Sequence, residues 1–135
     1  MSTSGRTYGQ SSVASPTTSG PTTVSASFAD LAEMSITLTF RGGPVLCEFV
    51  GAFTHSSLTG RVDIGFSLDA AGEVGVQSVT DPVVGNLFQV VTMHRFSAAA
   101  MSAGSHTIKV RWATSTATAT ASGTARIFRV TEMAS

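Results

Sequence analysis

The chain has 135 residues, no formal net charge at pH 7, 42% hydrophobic residues and 12% charged ones. That length holds one domain comfortably, and the charged share is about half the usual one, so the chain must hide much of its surface in contacts or carry an uncharged exterior. Neutrality argues against the basic stripe expected of a protein that binds nucleic acid or an anionic membrane, and the lone Cys47 excludes a disulfide framework or a cysteine-based zinc site.

Residues 1–24 are almost wholly Ser, Thr, Gly and Pro, with isolated Arg6, Tyr8, Gln10, Val13 and Val24. The segment has no period of 2.0 or 3.6 and cannot form a core of its own. It reads as an extended arm, about 80 Å long if fully stretched, whose few larger side chains are the candidates for contact with a partner. It lacks the apolar stretch of a secretory signal, and no apolar run in the chain reaches the length of a membrane span, so synthesis without export is expected. Removal of the arm is expected to leave the stability of residues 25–135 unchanged.

From Phe28 the pattern turns to period two. Met34, Ile36, Leu38 and Phe40 alternate with small polar residues, and Arg41-Gly42-Gly43-Pro44 supplies a turn. Val45, Cys47, Phe49, Gly51 and Phe53 form the inward row of the next strand. Its other row, Leu46, Glu48 and Val50, is apolar for a face in solvent and is the candidate subunit interface. After a loop at residues 55–60, Val62, Ile64, Phe66 and Leu68 repeat the alternation. Residues 69–72 read as a hairpin connection, and Val74, Val76 and Val79 as a weaker strand. Loops at 81–86 and 97–105 flank a strand over 87–96. His106, Ile108, Val110 and Trp112 mark the clearest strand, with Trp112 expected in the core. Residues 114–123 alternate Thr and Ala as a flat strand or extended loop, and a closing strand runs over about 125–133. One helical turn fits only at residues 30–34 or 98–101.

Seven or eight short strands without amphipathic crossover helices predict an all-β fold, an antiparallel β-sandwich. The eight-stranded jelly roll is preferred over an immunoglobulin-like arrangement, because paired cysteines about a central tryptophan are missing.

The search for chemistry favours no enzyme. His55 beside Ser56 and Ser57 invites a nucleophile reading, but no motif sets the geometry of a triad there. His94 and His106 lie on strands without an evident third metal ligand. The carboxylates are scattered singly; Asp69 and Glu73 flank a glycine turn, with too few acidic ligands for a calcium loop. Gly42-Gly43-Pro44 lacks the Lys-Ser/Thr ending of a phosphate loop. Cys47 reads as a small core hydrophobe. No catalytic, cofactor or metal residue is assigned.

Two stretches carry a resemblance. One is Ile36-Thr37-Leu38-Thr39-Phe40-Arg41-Gly42-Gly43-Pro44-Val45-Leu46. The other is Ser102-Ala103-Gly104-Ser105-His106-Thr107-Ile108-Lys109-Val110-Arg111-Trp112, with the closing Arg126-Ile127-Phe128-Arg129-Val130-Thr131-Glu132. Together, over residues 34–133, they resemble the small jelly-roll virion proteins of tailed bacteriophages, which serve as head-decoration (cement) proteins or fibre-tip domains. The resemblance implies a structural virion protein, often a homotrimer, with no catalytic residue to carry over. A jelly roll behind a long polar arm is most similar to decoration proteins, whose arms reach neighbouring subunits on the lattice of the major capsid protein. The expected location is the capsid surface, with no direct nucleic-acid or membrane contact. The alternative is a fibre tip that binds a receptor or glycan through its distal loops, although those loops carry no aromatic residue.

Overall fold

The computed structural model describes residues 11–14, 20–57, 60–80, 89–97, 102–123 and 126–133. They form ten strand segments: β1 (Ser11–Ala14), β2 (Thr22–Thr23), β3 (Ala29–Phe40), β4 (Val45–His55), β5 (Arg61–Leu68), β6 (Val74–Thr80), β7 (Gln89–Ser97), β8 (Gly104–Thr114), β9 (Ala119–Ala121) and β10 (Ile127–Glu132). No helix of the described residues is long and apolar enough to cross a membrane.

Register reduces the ten segments to eight lines. Ala119–Ala121 pairs with β4 at Phe53 to His55, and Ile127–Glu132 pairs with β4 at Val45 to Val50. β9 and β10 are therefore one interrupted strand running beside β4. β1 lies on β10 and β2 on β9, so they too form one interrupted line. Sheet A is then β1/β2, β9/β10, β4, β7, and sheet B is β3, β8, β5, β6. Numbered along the chain, line one pairs with eight, two with seven, three with six and four with five. All these pairs are antiparallel. This is one long hairpin rolled into two sheets, the winding of an eight-stranded jelly roll.

The alternation that defines each strand supplies the core, since successive side chains point to opposite faces. Phe49 and Phe53 of β4, Ile64 and Phe66 of β5, Met93 of β7, Ile108, Val110 and Trp112 of β8, and Phe128 and Val130 of β10 are all buried between the sheets. Phe53 meets Trp112 at 5.8 Å between ring centroids, and Phe66 stacks on Phe128 at 5.9 Å. Trp112 is buried, as its alternation predicts. A side chain at Gly51 would begin 2.5 Å from the Phe49 ring, so the glycine in the inward row makes room for that aromatic.

Two charged residues are built into this interior. Glu132 is buried, and its Oε2 accepts the backbone N–H groups of Arg41 and Gly43 at 2.8 Å each. These charge-assisted bonds fasten the turn between β3 and β4 to the last strand. A Cβ at Gly43 would lie 2.4 Å from the Met133 carbonyl oxygen, so the close approach requires glycine. Arg126 is fully buried, donating to the Ser122 carbonyl at 2.8 Å and facing Glu33 at 3.4 Å. Burial pulls the guanidinium's pKa down, and Glu33 opposes the shift.

Two expectations change, and one open alternative is decided. Residues 30–34 are not a helical turn: they belong to β3, where a register shift between Asp30 and Ser35 is accommodated by Glu33 at a φ of 67°, as in a bulge. The Thr/Ala run over 114–123, open to reading as a flat strand or an extended loop, ends β8 at Thr114 and is strand again only at Ala119–Ala121. Residues 1–24 are not separate from the sandwich throughout, because β1 and β2 supply the edge of sheet A and Pro21 accepts the Ala121 N–H at 2.9 Å. Edge pairing uses backbone groups that every sequence carries, so it needs no apolar period.

Deletion of residues 1–24 should therefore destabilise the sandwich, at about 1 kcal/mol for each ladder hydrogen bond lost. Urea unfolding followed by Trp112 fluorescence should show a lower midpoint than for the full chain. An unchanged midpoint would mean that β1 and β2 contribute nothing to the folded state.

Candidate interaction face

The outward row of β4 crosses the middle of sheet A. Its neighbours are fixed by register: Ile127, Val50 and Thr92 form one row, and Arg129, Glu48 and His94 the next. In an antiparallel sheet, residues opposite one another share a face. The three sequence-predicted interface residues thus come together, Leu46 and Glu48 half-buried and Val50 42% exposed. Ile127 is 50% exposed and Val90 of β7 is 72% exposed. Glu48, Val50, Ile127 and Arg129 wall a shallow depression of about 190 Å³.

The charges on this face are uncommitted. Among the described residues, Glu48, Arg129 and His94 form no ion pair, although register places Glu48 between the other two. The outer face of sheet B is the opposite case. Lys109 and Arg111 reach Asp30 at 2.8 and 3.1 Å, Arg111 reaches Glu73 at 2.7 Å, and Arg61 grips Asp63 at 2.8 and 3.0 Å. Thr37 and Thr107 share a hydrogen bond across β3 and β8. The hydrogen bond from Lys109 holds Asp30 below the usual carboxylate range, against its partial burial. Sheet B neutralises its own charges and suits solvent, whereas sheet A presents apolar side chains around charges that a partner can satisfy.

The arm candidates do not form one site. β1 pairs residue 13 with Arg129, at the border of this face, while Val24 lies 75% exposed just beyond β2. Arg6, Tyr8 and Gln10 fall outside the described residues. Ile127, Arg129, His94 and Val90 were missed as partners of Leu46 and Val50; the signal available was the Ile127, Arg129, Thr131 alternation in the closing strand.

The histidines sit in three settings. His55, buried at the end of β4, accepts the Ser57 N–H on Nδ1 at 2.9 Å. The Thr114 hydroxyl donates to the Thr116 carbonyl at 2.7 Å, so His55 Nε2–H donates to Thr114 Oγ1, also at 2.7 Å. The ring is a peg holding the loop after β4. His94 and His106 lie on different sheets and do not converge on a metal. Cys47 is buried in the core, and burial pushes its thiol up to about 12.

His106 forms a cluster that the sequence reading missed. Asp69 and Ala70 both have positive φ, 52° and 63°, forming a tight turn between β5 and β6. That turn aims the Asp69 carboxylate at His106 Nδ1 and at the Thr107 N–H, 2.8 Å away. His106 Nε2 lies 2.7 Å from the Ser102 carbonyl oxygen and 3.2 Å from its Oγ. Ser, His and Asp are the members of a nucleophilic triad, but the protons are wrongly placed. Nε2 must carry a hydrogen to bond the carbonyl, so it cannot take one from Ser102. The cluster is an ionic clamp between the β5–β6 turn and the start of β8. The hydrogen bond from His106 lowers the Asp69 pKa, assisted by the Thr107 N–H, and the same bond raises that of His106, assisted by Ser102.

No family model and no curated protein matches the chain. Among solved structures, dimeric latent PorU from Porphyromonas gingivalis superposes with a TM-score of 0.62 at 8% identity, over 94% of this chain and 13% of that one. An exo-β-1,3-galactanase from Phanerochaete chrysosporium aligns at 12% identity over 90% of this chain and 29% of that one, with a TM-score of 0.36. The chain thus spans a small part of either structure. The first likeness shows a shared fold and the second is too low to carry an argument.

The clamp gives a pH signature. Raising the His106 pKa stabilises the fold below about pH 6.5 and the gain fades as pH rises through the folded value; lowering the Asp69 pKa stabilises above about pH 4 and the gain fades as pH falls through its folded value. The melting temperature of the native protein minus that of Asp69→Asn should therefore be largest between about pH 4 and 6.5. A difference that keeps growing above pH 8 would contradict the clamp.

Proposed function

We propose that this protein is a structural virion component, a capsid decoration protein that binds the outer surface of the major capsid protein lattice and stabilises the head. The observation that carries the reading is the contrast between the two outer faces: sheet B pairs its own charges, and sheet A offers Leu46, Val50, Ile127 and Val90 around the uncommitted Glu48, Arg129 and His94. Contiguous exposed apolar surface of this kind marks contact with another protein. The resemblance of residues 34–133 to tailed-phage decoration proteins supplies the class of partner. The protein acts by contact and carries out no reaction. Its activated-looking groups are committed to structure, His55 as a peg, His106 in an ionic clamp and Cys47 in the core.

In this reading the chain works as a homo-oligomer, and residues 1–10, with Arg6, Tyr8 and Gln10, reach the neighbouring subunit. Repetition over a lattice converts modest contacts into tight attachment.

The test is to mix full-length protein with undecorated capsids of the source virus and measure occupancy after dilution, together with the temperature at which the heads rupture. Saturable binding that raises the rupture temperature is expected, and Val50→Glu should reduce occupancy. Protein that ignores capsids but is retained on host-cell glycans would replace this reading with that of a fibre tip.

A further inference from the structure

Sheet A has a symmetry that its composition does not announce. Its four lines run β1/β2, β9/β10, β4, β7, so the midline of the sheet falls between β10 and β4. The residues flanking that midline are Arg129 opposite Glu48 and Ile127 opposite Val50. These same four residues wall the depression on this face.

A two-fold axis parallel to the strands and along this midline turns the face over onto a second copy. The operation exchanges β10 with β4 and β1 with β7. Arg129 of one copy then lies over Glu48 of the other, and Glu48 over Arg129, while Ile127 and Val50 meet in the same crosswise manner. Each charge finds the opposite sign and each apolar side chain finds another, which is the self-complementarity an isologous contact demands. The strands of the two faces run aligned, as in packed β-sheets.

We propose that the outer face of sheet A binds a second copy of this chain across that two-fold axis, through reciprocal Arg129–Glu48 pairs flanking an Ile127–Val50 contact. The charge pattern favours this occupant over an unrelated protein. One acidic and one basic residue stand side by side about the midline, and among the described residues neither forms an ion pair within its own chain. The exchange also lays β7 of one copy over β1 of the other, making the N-terminal strand part of the contact. The inference rests on the reading of this face as a contact surface, but it seats a second copy there and leaves the capsid lattice to another surface of the pair, and it gives an even-numbered oligomer where the resemblance implies a trimer.

The experiment is sedimentation equilibrium on the full chain, with Glu48→Arg, Arg129→Glu and the double variant, each checked for native circular dichroism. Wild type should be dimeric at micromolar concentration. Each single reversal sets like charges against each other and should weaken association by about tenfold or more, whereas the double variant restores opposite pairs and should recover most of the loss. Val50→Glu, which removes the apolar part, should weaken association in either charge background. A wild-type trimer, a monomer at 100 times that concentration, or a double variant as weak as the sum of its singles would each overturn the two-fold contact. A trimer or monomer that still binds capsids would leave the decoration reading standing, and a dimer that binds none would leave the contact standing without it.

Discussion

The structure depends on the backbone pairing of β4. This strand is flanked along its length, by β7 on one side and by β10 and then β9 on the other. A strand held on both sides cannot slip, because a shift of one residue would send its whole inward row to the surface. The hydrogen bonds of β4 therefore decide at once that Val45, Cys47, Phe49 and Phe53 enter the core and that Leu46, Glu48 and Val50 face outward. The core and the candidate contact face are two sides of one register.

The ends of the long hairpin are fastened by buried charge. Glu132 in the last strand captures the turn that feeds β4, and Arg126 reaches the bulge of β3 through Glu33. Removing one partner of such a group leaves the other buried without compensation, which costs far more than the pair itself contributes. These residues explain how a chain with so few charges commits several of them to positions away from solvent. The remaining charges divide by face: sheet B ties its own into pairs with Asp30, Asp63 and Glu73, and sheet A leaves Glu48 and Arg129 open. That division argues for one wet face and one covered face more directly than composition does.

The period-two rows of β4, β5 and β8 were legible in the sequence, because a buried row of aliphatic and aromatic residues leaves a pattern wherever one face is apolar. So was the turn at Asp69, and so was the antiparallel sandwich, which follows from the count of strands without helices, whereas the jelly-roll winding was a preference over the immunoglobulin-like one that only the register decides. Half of the candidate contact face could be read from Leu46 and Val50. The other half, Ile127 and Arg129, depends on which strand lies beside β4, a long-range pairing that no local pattern encodes. β1 and β2 were illegible because they contribute backbone bonds from a polar segment. The bulge at Glu33 looked like a helical turn, since the apolar spacing of Leu31 and Met34 departs from two where extra residues are inserted, four of β3 standing against Val110 alone. No local pattern marks Arg126 for the interior, where the fold places it. The Asp69–His106 clamp joins residues on different hairpins, and only the topology brings them together.

Hydroxyl-radical footprinting of the protein, free and assembled, tests most directly whether the outer face of sheet A is the covered one. Side-chain labelling suits the question, because backbone amides in a sheet are protected in both states. On assembly, oxidation of Leu46, Val50, Val90 and Ile127 should fall together, while Val76 of β6, exposed on sheet B, keeps its free-state reactivity. Unchanged labelling at Val50 and Ile127, or protection that instead follows sheet B, would contradict it.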